Sequence, residues 1–320
     1  MINRISSALI KITVSIVILF FLFRNIRFPV FWKTVVSVDL FLVAAVILFF
    51  ICIQAVSAFR WSIILEKDVK IPYPRLFSIY FIGMFFNNFL PTIVGGDVIK
   101  GYYLYRSSGR GDVSAASVFM DRYSGFSALI LITSLALIPG YAAIRGTGLP
   151  AAFALLIGGF LLSSLIIWVG SLHGWAIDIL SKVRFYGINK KIDTFYNVLM
   201  GYKKQTRILI KAFLCSLFVQ GGVIIAYYML SRGIGMEVRP GYFFLYIPLT
   251  TAISMLPISL SGLGVREGAF VFLFSKVGAT QEQALTLSLM WFAITAVVSI
   301  IGGIEYLRMG GRKAAAAERL

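Results

Sequence analysis

The sequence predicts an all-α polytopic membrane protein, with about six full spans and two re-entrant helical hairpins in an inverted-topology repeat. Three observations predict it. The 320 residues are 59% hydrophobic and 13% charged, with a mean hydropathy of +0.89, whereas soluble domains run about 45–50% apolar and about 25% charged. The apolar residues gather into runs long enough to cross a bilayer. The charges lie between those runs and are lopsided, 30 Lys and Arg against 13 Asp and Glu, a formal net of +17. A soluble core of this length cannot hide so much apolar surface, so a water-soluble enzyme is excluded. In this setting the basic excess reads as a positive-inside signal and not as a nucleic-acid footprint. Cys52 and Cys215 both fall within apolar runs and imply neither a disulfide framework nor a zinc site.

A helix needs about 20 apolar residues to cross the hydrocarbon. Six segments are candidates: residues 9–23, 40–64, 122–144, 149–172, 208–230 and 283–306. The first is followed by Arg24, Arg27 and Lys33 and lacks a small-residue cleavage site, so it is not read as a signal peptide. Basic loops set the orientation. Lys182, Arg184, Lys190, Lys191, Lys203, Lys204, Arg207 and Lys211 crowd the longest polar stretch, which is expected to be cytoplasmic. The loop with Arg60, Lys67, Lys70 and Arg75 is assigned to the same side, as is the tail with Arg308, Arg312 and Lys313. Both termini are then cytoplasmic and the chain is expected in the plasma (inner) membrane. Arg24, Arg27 and Lys33 fit this scheme poorly, because it leaves them outside. Ile188, Ile192, Phe195 and Leu199 have helical spacing, and residues 173–207 read as a cytoplasmic amphipathic linker lying on anionic lipid. His173, the single histidine, sits at a span end and reads as an interfacial anchor.

Two apolar stretches remain, residues 76–99 and 242–277, and each starts and finishes on one side. The first is broken by Asn87-Asn88-Phe89-Leu90-Pro91 and Gly95-Gly96, the second by Leu256-Pro257, Gly262 and Gly264. Proline removes a backbone donor and glycine frees the chain, so both are expected to reverse as re-entrant hairpins. Without gaps at an offset of 166, Gln54 matches Gln220, Pro74 matches Pro240, Tyr80 matches Tyr246 and Pro91 matches Pro257; one residue later Gly95 matches Gly262. The order of span, span, hairpin, span also repeats. The expected pseudo-repeats cover about residues 1–145 and 149–308 of a single transmembrane domain and have opposite topology, a layout in which one half can rock against the other.

The chemistry-bearing residues cluster at the two breaks. A glycine turn at each is expected to release a helix whose N-terminal N–H groups and positive dipole end face the interior and suit a phosphate or carboxylate. Lys100 and Arg266 stand close by, and Arg122 is read as opening the third span. Asp97 and Lys100 are three apart and share a helical face, so they can pair. Arg266 and Glu267 are adjacent and point about 100° apart, which predicts different partners. For all five, substrate contact and structural ion pairing both stay open. Asn87 and Asn88 read more simply as satisfying broken backbone. The sequence contains no P-loop, no His/Cys metal cluster and no G-x-S-x-G nucleophile, so no cofactor or metal is expected.

Asn88-Phe89-Leu90-Pro91 with Gly95-Gly96-Asp97, Arg122, and Leu256-Pro257 through Gly264-Val265-Arg266-Glu267-Gly268 together resemble the lysylphosphatidylglycerol synthase transmembrane-region, or flippase-like, family. The likeness runs from about Ile10 to Leu307 and is similar to the membrane domain of the multiple peptide resistance factor. It implies lipid translocation between leaflets for a phospholipid or polyprenyl-type lipid. It also implies a candidate substrate site at Asn88, Pro91, Gly95, Gly96, Asp97, Lys100, Arg122, Pro257, Gly262, Gly264, Arg266 and Glu267. The soluble aminoacyltransferase domain of that factor is not expected here, so the chain is expected to be no enzyme and to work with a separate lipid synthase or glycosyltransferase. A lipid-modifying transferase and a non-transporting scaffold for such a synthase are the alternatives.

Overall fold

The computed structural model describes residues 2–24, 26–65, 69–90, 95–169, 189–255, 258–259 and 262–317. Twelve α-helices account for most of them, and no strand occurs among the described residues. They are α1 (Ile2–Arg24), α2 (Phe28–Val36), α3 (Leu40–Leu65), α4 (Tyr73–Phe89), α5 (Gly95–Ser108), α6 (Gly111–Ile144), α7 (Leu149–Trp168), α8 (Asn189–Lys203), α9 (Thr206–Gly233), α10 (Pro240–Ser254), α11 (Val265–Ser275) and α12 (Gln281–Ala317).

Five helices are long and apolar enough to cross a membrane: α3, α6, α7, α9 and α12. Residues Thr13–Arg24 and Phe28–Val36 make a sixth candidate, bent by 94°. The bend falls at Arg24 and Arg27, the charges that the straight-span reading left on the wrong side. The short α2 turns away from α1 and leans on α12, where Phe31 joins Leu285 in a small core and the Arg27 N–H donates to Glu282 Oε1 at 3.2 Å. Phe28, Trp32 and Val36 stay exposed on it, a pattern that suits a helix lying along an interface.

The two broken segments are helical hairpins. Asn87 Oδ1 accepts the Gly96 N–H at 2.8 Å near the break, and Leu76 meets Leu104 at the far end, so α4 and α5 run antiparallel. No Cβ fits at Gly96, because it would overlap the Gly83 carbonyl. The second pair, α10 and α11, closes through Phe243, Tyr246 and Phe274, with ring centroids 5.0 and 5.5 Å apart. Gly262 and Gly264 carry φ of +80° and +84° between them, a region where a side chain would be strained. The arms hold 17 and 14 residues in the first hairpin and 15 and 11 in the second. At about 1.5 Å per residue they reach about 16–26 Å, short of the roughly 30 Å of hydrocarbon.

Helix order and packing share a pattern. α3 lies along α9; α4 lies against α12, and α10 against α6. Glycines mark the closest of these contacts: a Cβ at Gly302 would overlap the Phe81 backbone, and one at Gly140 would press into Leu245. The main core gathers Phe50, Tyr227, Phe243, Tyr246, Phe270, Phe274 and Trp291, with Tyr227 and Trp291 stacked at 4.1 Å.

Three expectations need correction. Arg122 does not open a span: α6 begins at Gly111, eleven residues earlier, because the charge of Asp121 is neutralised inside the protein and does not end the helix. Arg60 is not a loop residue; it is buried within α3. The described apolar side chains of the linker helix α8 face protein and not lipid. Leu199 and Tyr202 are buried against Met120, Ala116 and Ala212, with Phe195 edge-on to Phe119. Residues 173–188 of the linker, His173 included, lie outside the described residues.

Candidate functional site

A cavity of about 450 Å³ lies where the halves meet, lined by α3–α6 from the first and α9–α12 from the second. Its volume is in the range of small-molecule sites, about 300–1,000 Å³. The walls combine apolar rings (Phe50, Tyr227, Phe270, Trp291) with an unusual number of charges for a membrane interior.

On the first-half side these charges form one chain. Arg60 of α3 grips Asp121 of α6 twice through Oδ1, from Nε at 2.9 Å and Nη2 at 2.8 Å, and donates from Nη1 to Ser216 on α9 at 3.0 Å. Lys100 of α5 reaches the other Asp121 oxygen at 3.0 Å, with the Tyr80 ring 4.2 Å and the Trp61 ring 5.0 Å from its ammonium. Lys100 stands only 3.7 Å from Asp97 Oδ1, and Asp97 Oδ2 is held by Arg122 Nε at 2.7 Å. The chain therefore contains three cations, Arg60, Lys100 and Arg122, and two carboxylates, Asp97 and Asp121.

Its two ends differ. Arg60, Lys100 and Asp121 have side chains no more than 6% exposed, while that of Arg122 is 44% exposed. The Arg122 Nη groups hold no hydrogen bond among the described residues, and Asp97 Oδ1 is a buried oxygen without a hydrogen-bond donor there. The buried end is a staple joining α3, α5, α6 and α9. The exposed end offers the unused Nη groups of Arg122, while the neighbouring Asp97 Oδ1 is buried and faces Lys100 at 3.7 Å.

Across the cavity sits Arg266, over the Phe292 ring at 5.2 Å. Contrary to the expectation of separate partners, it pairs with its neighbour: Nη2 and Nε lie 2.6 and 3.0 Å from Glu267 Oε1, and Ser288 Oγ also donates to that oxygen at 3.2 Å. The cause is the helix end. Glu267 Oε2 folds back to accept the Gly264 N–H at 2.7 Å, a capping-box contact that swings the carboxylate towards Arg266. The Gly264 donor is thus taken, as the Gly96 donor is by Asn87. One backbone donor at each break, of those the glycine turns were expected to leave for an anion, is therefore spent internally.

Of the predicted site residues, Asn88, Asp97, Lys100, Arg122 and Arg266 line the cavity; Gly95, Gly96, Gly262, Gly264 and Glu267 shape or brace its helix ends. The Asn88 amide donates to the Thr295 carbonyl at 3.1 Å. Pro91 and Pro257 lie outside the described residues. Sequence reasoning missed Arg60, Asp121 and Ser216. One signal was available: Ser117, Asp121, Ser124 and Ala128 are small or short, buried and spaced for one helical face, which marks close packing around an acid. The matched glutamines, Gln54 and Gln220, both line the cavity.

An all-helical protein with several bilayer-length apolar helices around a charged internal cavity is an integral membrane protein. The chain belongs to the lysylphosphatidylglycerol synthase TM region family, whose pattern matches residues 8–303. It is similar to two "UPF0104 membrane proteins" of Methanothermobacter thermautotrophicus, one 26% identical over 77% of this chain and 78% of the relative, the other 24% identical over 75% and 76%. A third, from Pyrococcus horikoshii, is 22% identical over 94% of this chain and 96% of the relative. No solved structure matches.

Proposed function

We propose that this protein moves a phosphate-headgroup lipid, a phospholipid or a polyprenyl-type lipid, between membrane leaflets as a flippase or scramblase. The headgroup passes through the cavity while its tails stay in the bilayer. The observation that carries this reading is the surplus cation of the charge chain, Arg122, which presents free guanidinium donors to the cavity. A guanidinium fork suits a phosphate's paired oxygens. The cavity volume of about 450 Å³ accommodates a headgroup rather than a whole lipid. Family membership supports a lipid-linked role.

The same reading takes the hairpins as re-entrant and the halves as inverted repeats, supported by their short arms and by the exchange of α4 and α10 onto the opposite half's last span. The reading also puts both termini in the cytoplasm, supported by the basic loops, with the plasma membrane as the location and a separate lipid synthase or glycosyltransferase as the partner. No catalytic step is assigned. Flux follows the lipid gradient or couples to an ion. For proton coupling Asp97 is the better carrier, since its Oδ1 accepts no hydrogen bond while both Glu267 oxygens are engaged.

The test is purified protein in liposomes carrying leaflet-specifically labelled lipid. Wild type should accelerate exchange of at least one phospholipid or polyprenyl phosphate. Arg122→Gln should slow it at least about ten-fold, the worth of one charge-assisted contact, with folding intact. No acceleration of any such lipid by wild type would refute the proposal. Unchanged exchange with Arg122→Gln would remove Arg122 from it and favour a scaffold role for the charge chain.

A further inference from the structure

We infer a second lipid site on the outer side of α3 and α9, separate from the central cavity: a groove of about 890 Å³ that holds one anionic phospholipid, its phosphate between Lys70 and Lys211. The inference is independent of the translocation reading. Both helices show the cavity one face and the groove another. On α3, Ser57 and Arg60 face inward while Phe59, Ser62 and Ile63 line the groove; on α9, Ser216 meets Arg60 while Lys211, Leu214 and Cys215 line the groove.

The occupant follows from the chemistry of the walls. Phe59, Ile63, Ile71 and Leu214 supply an apolar floor, and Phe59 and Leu214 are 51% and 58% exposed. Two exposed lysines and no acidic residue stand among the described lining residues. Lys211 lies in the first turns of α9 and Lys70 just beyond the end of α3, both candidate spans, so the charges sit at headgroup depth and the apolar floor runs below them. A soluble anion would use the lysines and waste the floor; a neutral lipid would use the floor and leave the charges unmatched. An anionic phospholipid uses both. The groove lies directly behind the Arg60–Ser216 contact, so its occupant bridges the same α3–α9 seam from outside.

Cys215 reports on occupancy, because it lines the groove and the chain has only one other cysteine, Cys52. With Cys52→Ala protein in detergent micelles, a neutral maleimide should alkylate Cys215 at least about five-fold more slowly when phosphatidylglycerol is added. Phosphatidylcholine and inorganic phosphate should not slow it. In Lys70→Gln/Lys211→Gln the phosphatidylglycerol needed for half-protection should rise about 30-fold, the factor expected for two lysines at a charged headgroup. Lys70→Arg/Lys211→Arg should keep the protection, which separates lost charge from lost fold. Equal protection by phosphatidylcholine, protection by inorganic phosphate, no protection at all, or no shift in the glutamine variant would each overturn the site. None of these readouts depends on transport.

Discussion

Asp121→Asn tests the division of the charge chain into a staple and a working end. The substitution keeps the shape of the side chain and removes its charge. Arg60 would then retain the Ser216 hydroxyl at 3.0 Å, and Lys100 would retain Asp97 at 3.7 Å and two ring faces. Two side chains at most 6% exposed would be left undercompensated. Breaking a buried pair costs about 3–5 kcal/mol, and the ring faces give back no more than about 1–2 kcal/mol. A net loss of about 1–4 kcal/mol is expected, a large share of the roughly 5–15 kcal/mol that holds a folded protein. Reversible unfolding in mixed micelles, followed by tryptophan fluorescence, measures it. Arg122→Gln in the same assay should cost less than Asp121→Asn, because only one partner of its pair, Asp97 at 8%, is buried while Arg122 is 44% exposed. If Asp121→Asn unfolds like wild type and only transport suffers, the staple reasoning is wrong and Asp121 belongs to the working end.

Other outcomes follow from single contacts. Gly302→Ala should destabilise by about 1–3 kcal/mol, because its Cβ meets the Phe81 backbone, which has no side chain to swing aside. Gly221→Ala, also mid-helix but with open space around it, should be neutral or stabilising by up to about 1 kcal/mol; unfolding midpoints compare the two. Glu267→Ala should cost more stability than Glu267→Gln, since glutamine can still accept the Gly264 N–H and keep the α11 cap while alanine cannot. Equal losses would mean that the cap contributes nothing.

Spans and breaks were legible because they depend on run length and on residues that interrupt helices. Pro91, Gly95, Pro257 and Gly262 announce the hairpins at the scale of a few residues. Partner choice is not local. Arg60 finds Asp121 across 61 positions and Ser216 across 156, and nothing in a one-dimensional pattern separates such a charge from the loop lysines beyond it. The same blindness started α6 too late: Asp121 and Arg122 look like a boundary until their partners are seen. Arg266 and Glu267 misled for a different reason. Angular spacing on an ideal helix does not apply to a first turn whose carboxylate folds back to cap Gly264.

The glycine contacts have a mechanical consequence. Where Gly83 meets Gly96 within a hairpin, and where Gly302 meets Phe81 between α12 and α4, the surfaces touch at the backbone with no side chain from the glycine between them. Interdigitated side chains resist sliding, because each must leave its pocket before the next fits. At Gly302 the α4–α12 contact lacks that interlock, and the register is held instead on either side of it by Ser78 on Glu305, Asn88 on Thr295 and the Phe86–Tyr306 ring pair. The glycines thus set how near the two helix axes come, and the side chains flanking them act as the stops that keep α4 from slipping along α12.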